Sequence, residues 1–131
     1  MMFGAKAYAQ VGLESGVNSA SPHQLITMLF DGAIEAIKRA KNCLANQDTI
    51  GKITAIDKAI RIVGDGLISS LDLEAGDELG AQLLSLYQFV SRELVLANAK
   101  NDVAKMDNCI ELLADLRSAW AEIGQKLSQP S

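Results

Sequence analysis

The stretch Leu79–Ala97 constrains the fold most, because it holds more apolar residues than one face of a helix can bury. Twelve of its nineteen residues are apolar. At about 100° per residue, spacings of three and four give a core stripe: Leu79, Leu83, Leu86, Tyr87, Val90, Leu94 and Ala97. Leu84 and Val95 fall outside that stripe. Phe89 and Leu96 lie on a third side, so the stretch predicts a helix with apolar surface to spare.

Small residues lie between the core stripe and the second apolar edge formed by Leu84 and Val95. They are Gly80, Ser91 and Asn98. A shallow floor beside an apolar edge can accept a helix from another chain. The stretch therefore predicts a core on one side and a binding surface on the other.

Apolar periodicity elsewhere predicts three further helices. Ser21-Pro22-His23-Gln24 has the pattern of a capping box with proline at the first helical position, and its helix should run to about Ala45. A second helix is expected from about Ile50 to Leu73. The third ends near Ala99, and Asn101-Asp102 caps the fourth. Four helices of roughly 22–26 residues joined by short turns predict an all-α, antiparallel up-down four-helix bundle.

The bundle is expected to span residues 21–127. Residues 1–20 combine three glycines with scattered apolar groups. They are predicted to form a mobile N-terminal arm, or else a frayed end with a partial turn. Residues 128–131 are predicted to be a frayed C-terminal tail.

The second helix shows the same surplus as the third. Its predicted core stripe is Ile53, Ile56, Ile60, Val63, Leu67 and Leu71. Beside that stripe lies a further apolar edge that includes small residues: Ala55, Ala59, Ile62, Gly66 and Leu73. The two helices thus predict two matching edges.

Composition excludes several classes of function. With 12 basic and 16 acidic residues the net charge is −4, and no basic face of the size that nucleic acid binding requires is apparent. No apolar run approaches the roughly 20 residues of a membrane span, and the N-terminus lacks the apolar core of a signal peptide. Cys43 and Cys109 are far apart and should be reduced and buried. A cytoplasmic protein is expected.

The residues that enzymes and metal sites need are sparse. His23 is the single histidine, and it lies in a capping box, so a capping or surface role is expected rather than catalysis. One histidine and two distant cysteines do not supply a zinc site, and no Glu-x-x-His motif is present. No cofactor, metal or catalytic residue is predicted. A histidine phosphotransfer domain stays as a remote alternative.

The surplus apolar surface has to be covered by something. One candidate is the N-terminal arm, with Tyr8 and Val11 docking into a groove. A second copy of the chain, as a weak homodimer, and a helix from a client protein are the others. A generic helical adaptor therefore remains open on these residues alone.

Six segments together match a known family in its own order. They are residues 20–34 (ASPHQLITMLFDGAI), 58–62 (KAIRI), 70–72 (SLD), 83–87 (LLSLY), 94–98 (LVLAN) and 116–123 (LRSAWAEI). With them the chain resembles the flagellin export chaperones, the FliS family, from residue 8 to about 124. Phe30 stands where that family usually has tyrosine, and residues 88–90 also depart from its common sequence.

The resemblance implies a cytoplasmic chaperone that holds the disordered C-terminal segment of flagellin in surface apolar grooves. Such chaperones prevent premature polymerisation and help deliver the subunit to the flagellar type III export gate. The family's arm carries a tyrosine, matched by Tyr8, and can lie over the groove when flagellin is absent.

The resemblance also bears on which residues contact the client. Tyr87 and Asn98 are about three helical turns apart on one line, and Asn98 is expected to bond a client backbone flanked by Tyr87 and Leu94. Without the resemblance, the sequence favours a core role for Tyr87 and a helix-end role for Asn98. The expected partner-binding set is Ala59, Ile62, Gly66, Gly80, Leu84, Tyr87, Ser91, Leu94, Val95 and Asn98.

Overall fold

The computed structural model describes residues 20–72 and 78–128, with side chains through Gly124. Four helices follow in order: α1 (Pro22–Ala45), α2 (Thr49–Arg61), α3 (Glu78–Lys100) and α4 (Val103–Ser128). A π-helical segment, Ile62–Ile68, continues α2. This architecture confirms the predicted all-α four-helix bundle. The arm residues Tyr8 and Val11 lie outside the described residues.

The helices form a four-cornered antiparallel bundle. α1 packs against α2 and α4, and α3 packs against the other sides of the same two helices. The core between them is largely aliphatic, with the rings of Phe30 and Tyr87 tilted against each other at 6.3 Å between centroids. No helix within the described ranges is long and apolar enough to cross a bilayer.

Side-chain caps fix where three of the helices begin. Ser21 accepts a hydrogen bond from the Gln24 backbone at 3.1 Å, and the Gln24 side chain accepts one from the Ser21 backbone at 2.8 Å. This is the predicted capping box. Asp48 caps α2 by accepting from the Gly51 N–H. Asp102 caps α4 by accepting from the Lys105 N–H, as its position in the sequence predicts.

The second helix differs from the prediction in its end and in its buried face. Its helical stretch stops at Ile68 rather than at Leu73. The buried residues of α2 and the π-helical segment are Lys52, Ala55, Ile56, Ala59, Ile62, Val63, Gly66 and Leu67. Ile53, expected in the core stripe, is 46% exposed. The buried face therefore combines Ile56, Val63 and Leu67 of the predicted core stripe with Ala55, Ala59, Ile62 and Gly66 of the predicted extra edge.

Close packing of α1 on small residues explains why Ala55, Ala59 and Gly66 are buried. The Leu29 side chain lies against Gly66, where an added Cβ would sit 2.7 Å from Leu29 Cδ2. Small residues let two helices approach closely, so their own positions become fully buried. Ile53 and Ile60 lie to one side of that contact. The sequence prediction assigned the large side chains of α2 to the core and gave too little weight to the small ones.

Three pairs of side chains join α1 to α4 along their length. The His23 and Trp120 rings stack at 4.5 Å. His23 Nε2–H donates to the Trp120 carbonyl oxygen at 2.6 Å, and the Trp120 indole N–H donates to the His23 carbonyl oxygen at 2.9 Å. Arg117 binds both carboxylate oxygens of Asp31. Lys41 pairs with Asp107. His23 is thus a packed side chain and not only a helix-start residue.

Two titratable side chains of the core have raised pKa values. Burial raises the pKa of the Tyr87 hydroxyl to about 12. Burial, followed by the charge of Glu93, raises the pKa of the Cys109 thiol to about 11. Cys109 is buried as predicted, whereas Cys43 is only half-buried. Both core groups are held in their neutral form.

Alkaline pH should therefore weaken the fold. The unfolded chain loses these protons near pH 9 and 10 while the folded chain keeps them, so the free energy of unfolding falls as pH rises above about 9. We expect a loss on the order of 1–2 kcal/mol per group at pH 11. Urea unfolding at pH 8 and 11 measures it. Tyr87→Phe keeps the ring and should show a smaller loss; an equal loss would contradict the assignment to Tyr87.

Candidate partner-binding groove

Two lines of side chains face each other across α2 and α3. On α3, Leu84, Ser91 and Asn98 recur at intervals of seven, with Val95 beside them. Because seven residues are close to two helical turns, these side chains lie along one side of α3. The Lys52 side chain reaches Asn98 from α2. That side of α3 therefore faces α2.

The facing side of α2 carries Ile53 and Ile60, also seven residues apart, and then Gly64 four residues later. The opposite side of α2 belongs to α1, because Gly66 contacts Leu29 there. We call the surface between these two lines the α2–α3 groove. Its residues are Ile53, Ile60, Gly64, Leu84, Ser91, Val95 and Asn98.

The α2–α3 groove is apolar and open to solvent. Val95 is 54% exposed on one side and Ile53 is 46% exposed on the other. Ile60, Leu84 and Ser91 are half-buried. Two large aliphatic side chains left in water at facing positions of one groove are an arrangement that a partner would cover. The second apolar edge predicted for α3 is thus at the surface.

A buried ammonium closes one end of the groove. Lys52 is only 5% exposed, and its Nζ donates to the Asn98 backbone oxygen at 2.9 Å and to Asn98 Oδ1 at 2.8 Å. Asn98 is in the last turn of α3, where carbonyl groups lack helical partners and a cation is favoured. The amide oxygen of Asn98 is therefore already used, and its NH₂ group is the part left for a partner.

Five of the ten predicted partner contacts are core residues. Ile62, Ala59 and Leu94 have no exposed surface, Tyr87 has 4%, and Gly66 is buried against Leu29. In the free bundle these five therefore do not line an open surface, and their role in partner binding stays a prediction. Gly80, Leu84, Ser91, Val95 and Asn98 remain partly or largely exposed, and their role stays a prediction.

Sequence reasoning missed the α2 side of the groove. Ile53 and Ile60 were assigned to the core, and Gly64 and Lys52 to no binding surface. The available signal was the run of small residues at 55, 59 and 66, which marks the closest helix contact more reliably than isoleucine does. Nothing in the pattern indicated that Lys52 is buried.

Other surfaces of the bundle have different character. Phe89 and Leu96 are exposed on the side of α3 away from α2, as predicted. Between α1 and α2 lies a concavity of about 1380 Å³ whose lining includes Asp31, Glu35, Lys38, Arg39 and Lys58. That lining carries both signs of charge and suits an apolar helix less well than the α2–α3 groove does.

Chemistry at the described side chains gives no catalytic arrangement. No group of three or more His, Cys, Asp or Glu residues within the described ranges could hold a metal ion. The His23 ring is stacked on Trp120, and its Nε2 is engaged with a backbone oxygen. The α2–α3 groove therefore offers apolar contacts, with the Lys52–Asn98 pair at one end.

Comparison with known proteins identifies the family to which the chain belongs. A family model described as "Flagellar protein FliS" matches residues 4–127. The flagellar secretion chaperone FliS of Salmonella typhimurium (strain LT2) is 46% identical over 125 residues, covering 95% of this chain and 93% of its own length. That of Escherichia coli K12 is 44% identical over 119 residues, covering 91% and 88%. FliSB of Pseudomonas aeruginosa is 38% identical over 115 residues, covering 88% and 90%. The chain belongs to the FliS family of flagellar proteins.

Proposed function

We propose that this protein is a cytoplasmic export chaperone that holds the disordered C-terminal segment of flagellin in the α2–α3 groove. Holding that segment prevents premature polymerisation and keeps the subunit ready for flagellar type III export. Membership of the FliS family and the chaperone names of the relatives support the proposal.

One observation carries the choice of the groove. Val95 and Ile53 are large aliphatic side chains, each about half exposed, on opposite sides of it. Burial of a valine or isoleucine side chain contributes roughly 1.5–3 kcal/mol. A free chain gains nothing from leaving both in water, whereas a chaperone needs such residues for its client.

The energetics suit a client that is ordered only when bound. Folding a disordered segment on a surface typically costs 2–5 kcal/mol or more, offset by burial on the order of 1,000–3,000 Å². The α2–α3 groove supplies part of that area through Ile53, Ile60, Leu84 and Val95. Because its contacts are mainly apolar, the client can leave without any covalent step.

The N-terminal arm and further partners belong to the same proposal. We also propose that the arm, through Tyr8 and Val11, competes with flagellin for apolar surface of the bundle. The loaded complex is then recognised at the flagellar export gate. A weak homodimer formed through the same groove is the alternative way to cover it.

Other classes of function have less support. A phosphotransfer role requires an accessible histidine, and His23 stacks on Trp120 with its Nε2 bonded to the Trp120 carbonyl oxygen. A generic adaptor with another client fits the bundle equally well. The family favours a flagellar client.

Val95→Asp should weaken binding of a flagellin C-terminal peptide, because it places a charge in the apolar groove. We expect the dissociation constant to rise about tenfold or more, which corresponds to roughly 1.4 kcal/mol or more. Isothermal titration calorimetry measures the change. Circular dichroism should show unchanged helicity, since Val95 is outside the core.

Leu96→Asp is the matched control. Leu96 is the next residue, is 40% exposed, and lies on the side of α3 away from α2. Its substitution should leave the dissociation constant within about twofold, as expected for a surface change outside the contact. Equal losses in both variants would mean that the client covers both sides of α3, and no loss in Val95→Asp would place the client elsewhere.

Tyr8→Ala tests whether the arm competes with the client. Removing the ring should weaken the arm's hold on the groove, so the flagellin peptide should bind more tightly or the free protein should self-associate more. Calorimetry and sedimentation velocity measure these two effects. Unchanged affinity together with unchanged self-association would argue against a competing arm.

A further inference from the structure

Two glycines, two residues apart in the π-helical segment, have different surroundings. A Cβ at Gly66 would meet Leu29 at 2.7 Å, so the buried Leu29 side chain of α1 would have to shift to admit it. A Cβ at Gly64 would meet nothing within 4 Å. The backbone of Gly64 is not in the left-handed region that would favour glycine. The fold of the free chain therefore gives no reason for glycine at position 64.

Position 64 lies beside the α2–α3 groove, and glycine places no side chain there. Gly64 follows Ile60 by four residues, and it is about half a turn around the helix from Gly66, which faces α1. Its position therefore continues the line of Ile53 and Ile60. The absence of a side chain there leaves a notch in the α2 side of the groove, roughly level with Leu84 and Gln88 on α3.

A π-helical turn coincides with this notch. Segments of π-helix are rare and often lie at functional sites. Glycine is also among the least favourable residues inside a helix. Both features weaken the helix locally. They lie at the end of the groove opposite the Lys52–Asn98 pair.

We infer that Gly64 is a client-contact position, where the bound client helix passes closest to α2 with its backbone against the glycine. This rests on the proposed function, since it takes the flagellin C-terminal segment as the occupant. From Ile53 to Gly64 the groove is about 16 Å long, or three helical turns. The client segment seated there is an apolar-faced helix of about three turns, with a small residue opposite Gly64.

Three variants of the full chain test this inference against a flagellin C-terminal peptide. Gly64→Ala should keep or raise the thermal midpoint, because the added methyl meets open space, yet should weaken peptide binding a few-fold. Gly64→Leu should raise the dissociation constant about tenfold or more, since it fills the notch. Gly66→Ala, at the packed glycine, should instead lower the thermal midpoint.

Ala104→Leu is the control for added bulk. Ala104 is exposed on α4, near the Lys52–Asn98 end of the bundle but outside the groove, and its substitution should leave peptide affinity unchanged. Tighter or equal binding by Gly64→Ala and Gly64→Leu would overturn the inference, as would a large drop in the thermal midpoint of Gly64→Ala.

The same titrations separate the two proposals. If the unmodified chain binds the peptide and Val95→Asp weakens it while the Gly64 variants do not, then the contact at Gly64 is refuted and the proposed function stands. If the unmodified chain does not bind the peptide, both fall.

Discussion

The close approach of α1 to α2 determines how the rest of the bundle is arranged. Leu29, fully buried, fits against Gly66, and the alanines at 55 and 59 complete a contact surface of small side chains. Two helices that meet over small residues bury those positions first. Ile53 and Ile60 then lie beside the contact rather than in it, and they form one side of the α2–α3 groove.

The position of α3 follows from this arrangement. It buries Tyr87, Val90, Leu94 and Ala97 along a single stripe against the core. Its second edge faces α2 across the α2–α3 groove and stays partly exposed, because α2 has its closest contact with α1. The bundle thus has a complete core and still leaves apolar side chains outside it. A helical protein with no further partner gains nothing from that excess.

Local signals in the sequence predicted much of the fold. The Ser21 capping box and the Asp102 cap were predicted because each depends on a few neighbouring residues. The open edge of α3 was predicted because twelve apolar residues exceed what one helical face can bury. The buried face of α2 was predicted only in part, because periodicity alone does not tell whether alanine and glycine or isoleucine will meet the neighbouring helix. The His23–Trp120 stack was missed because those residues are 97 positions apart.

The Lys52–Asn98 pair limits what kind of partner the groove can take. Burying an ammonium is costly unless its hydrogen bonds are made, and here two oxygens of Asn98 accept them in the last turn of α3. The charge is thus stabilised within the chain, and a partner need not bring a carboxylate to that end. The amide NH₂ of Asn98 is a donor, so it suits a carbonyl oxygen. A helix seated in the groove has free carbonyls at its C-terminal end. Where a client helix occupies the groove as proposed, its C-terminal end would suit the position beside Asn98, and its N-terminal end would then lie at Gly64.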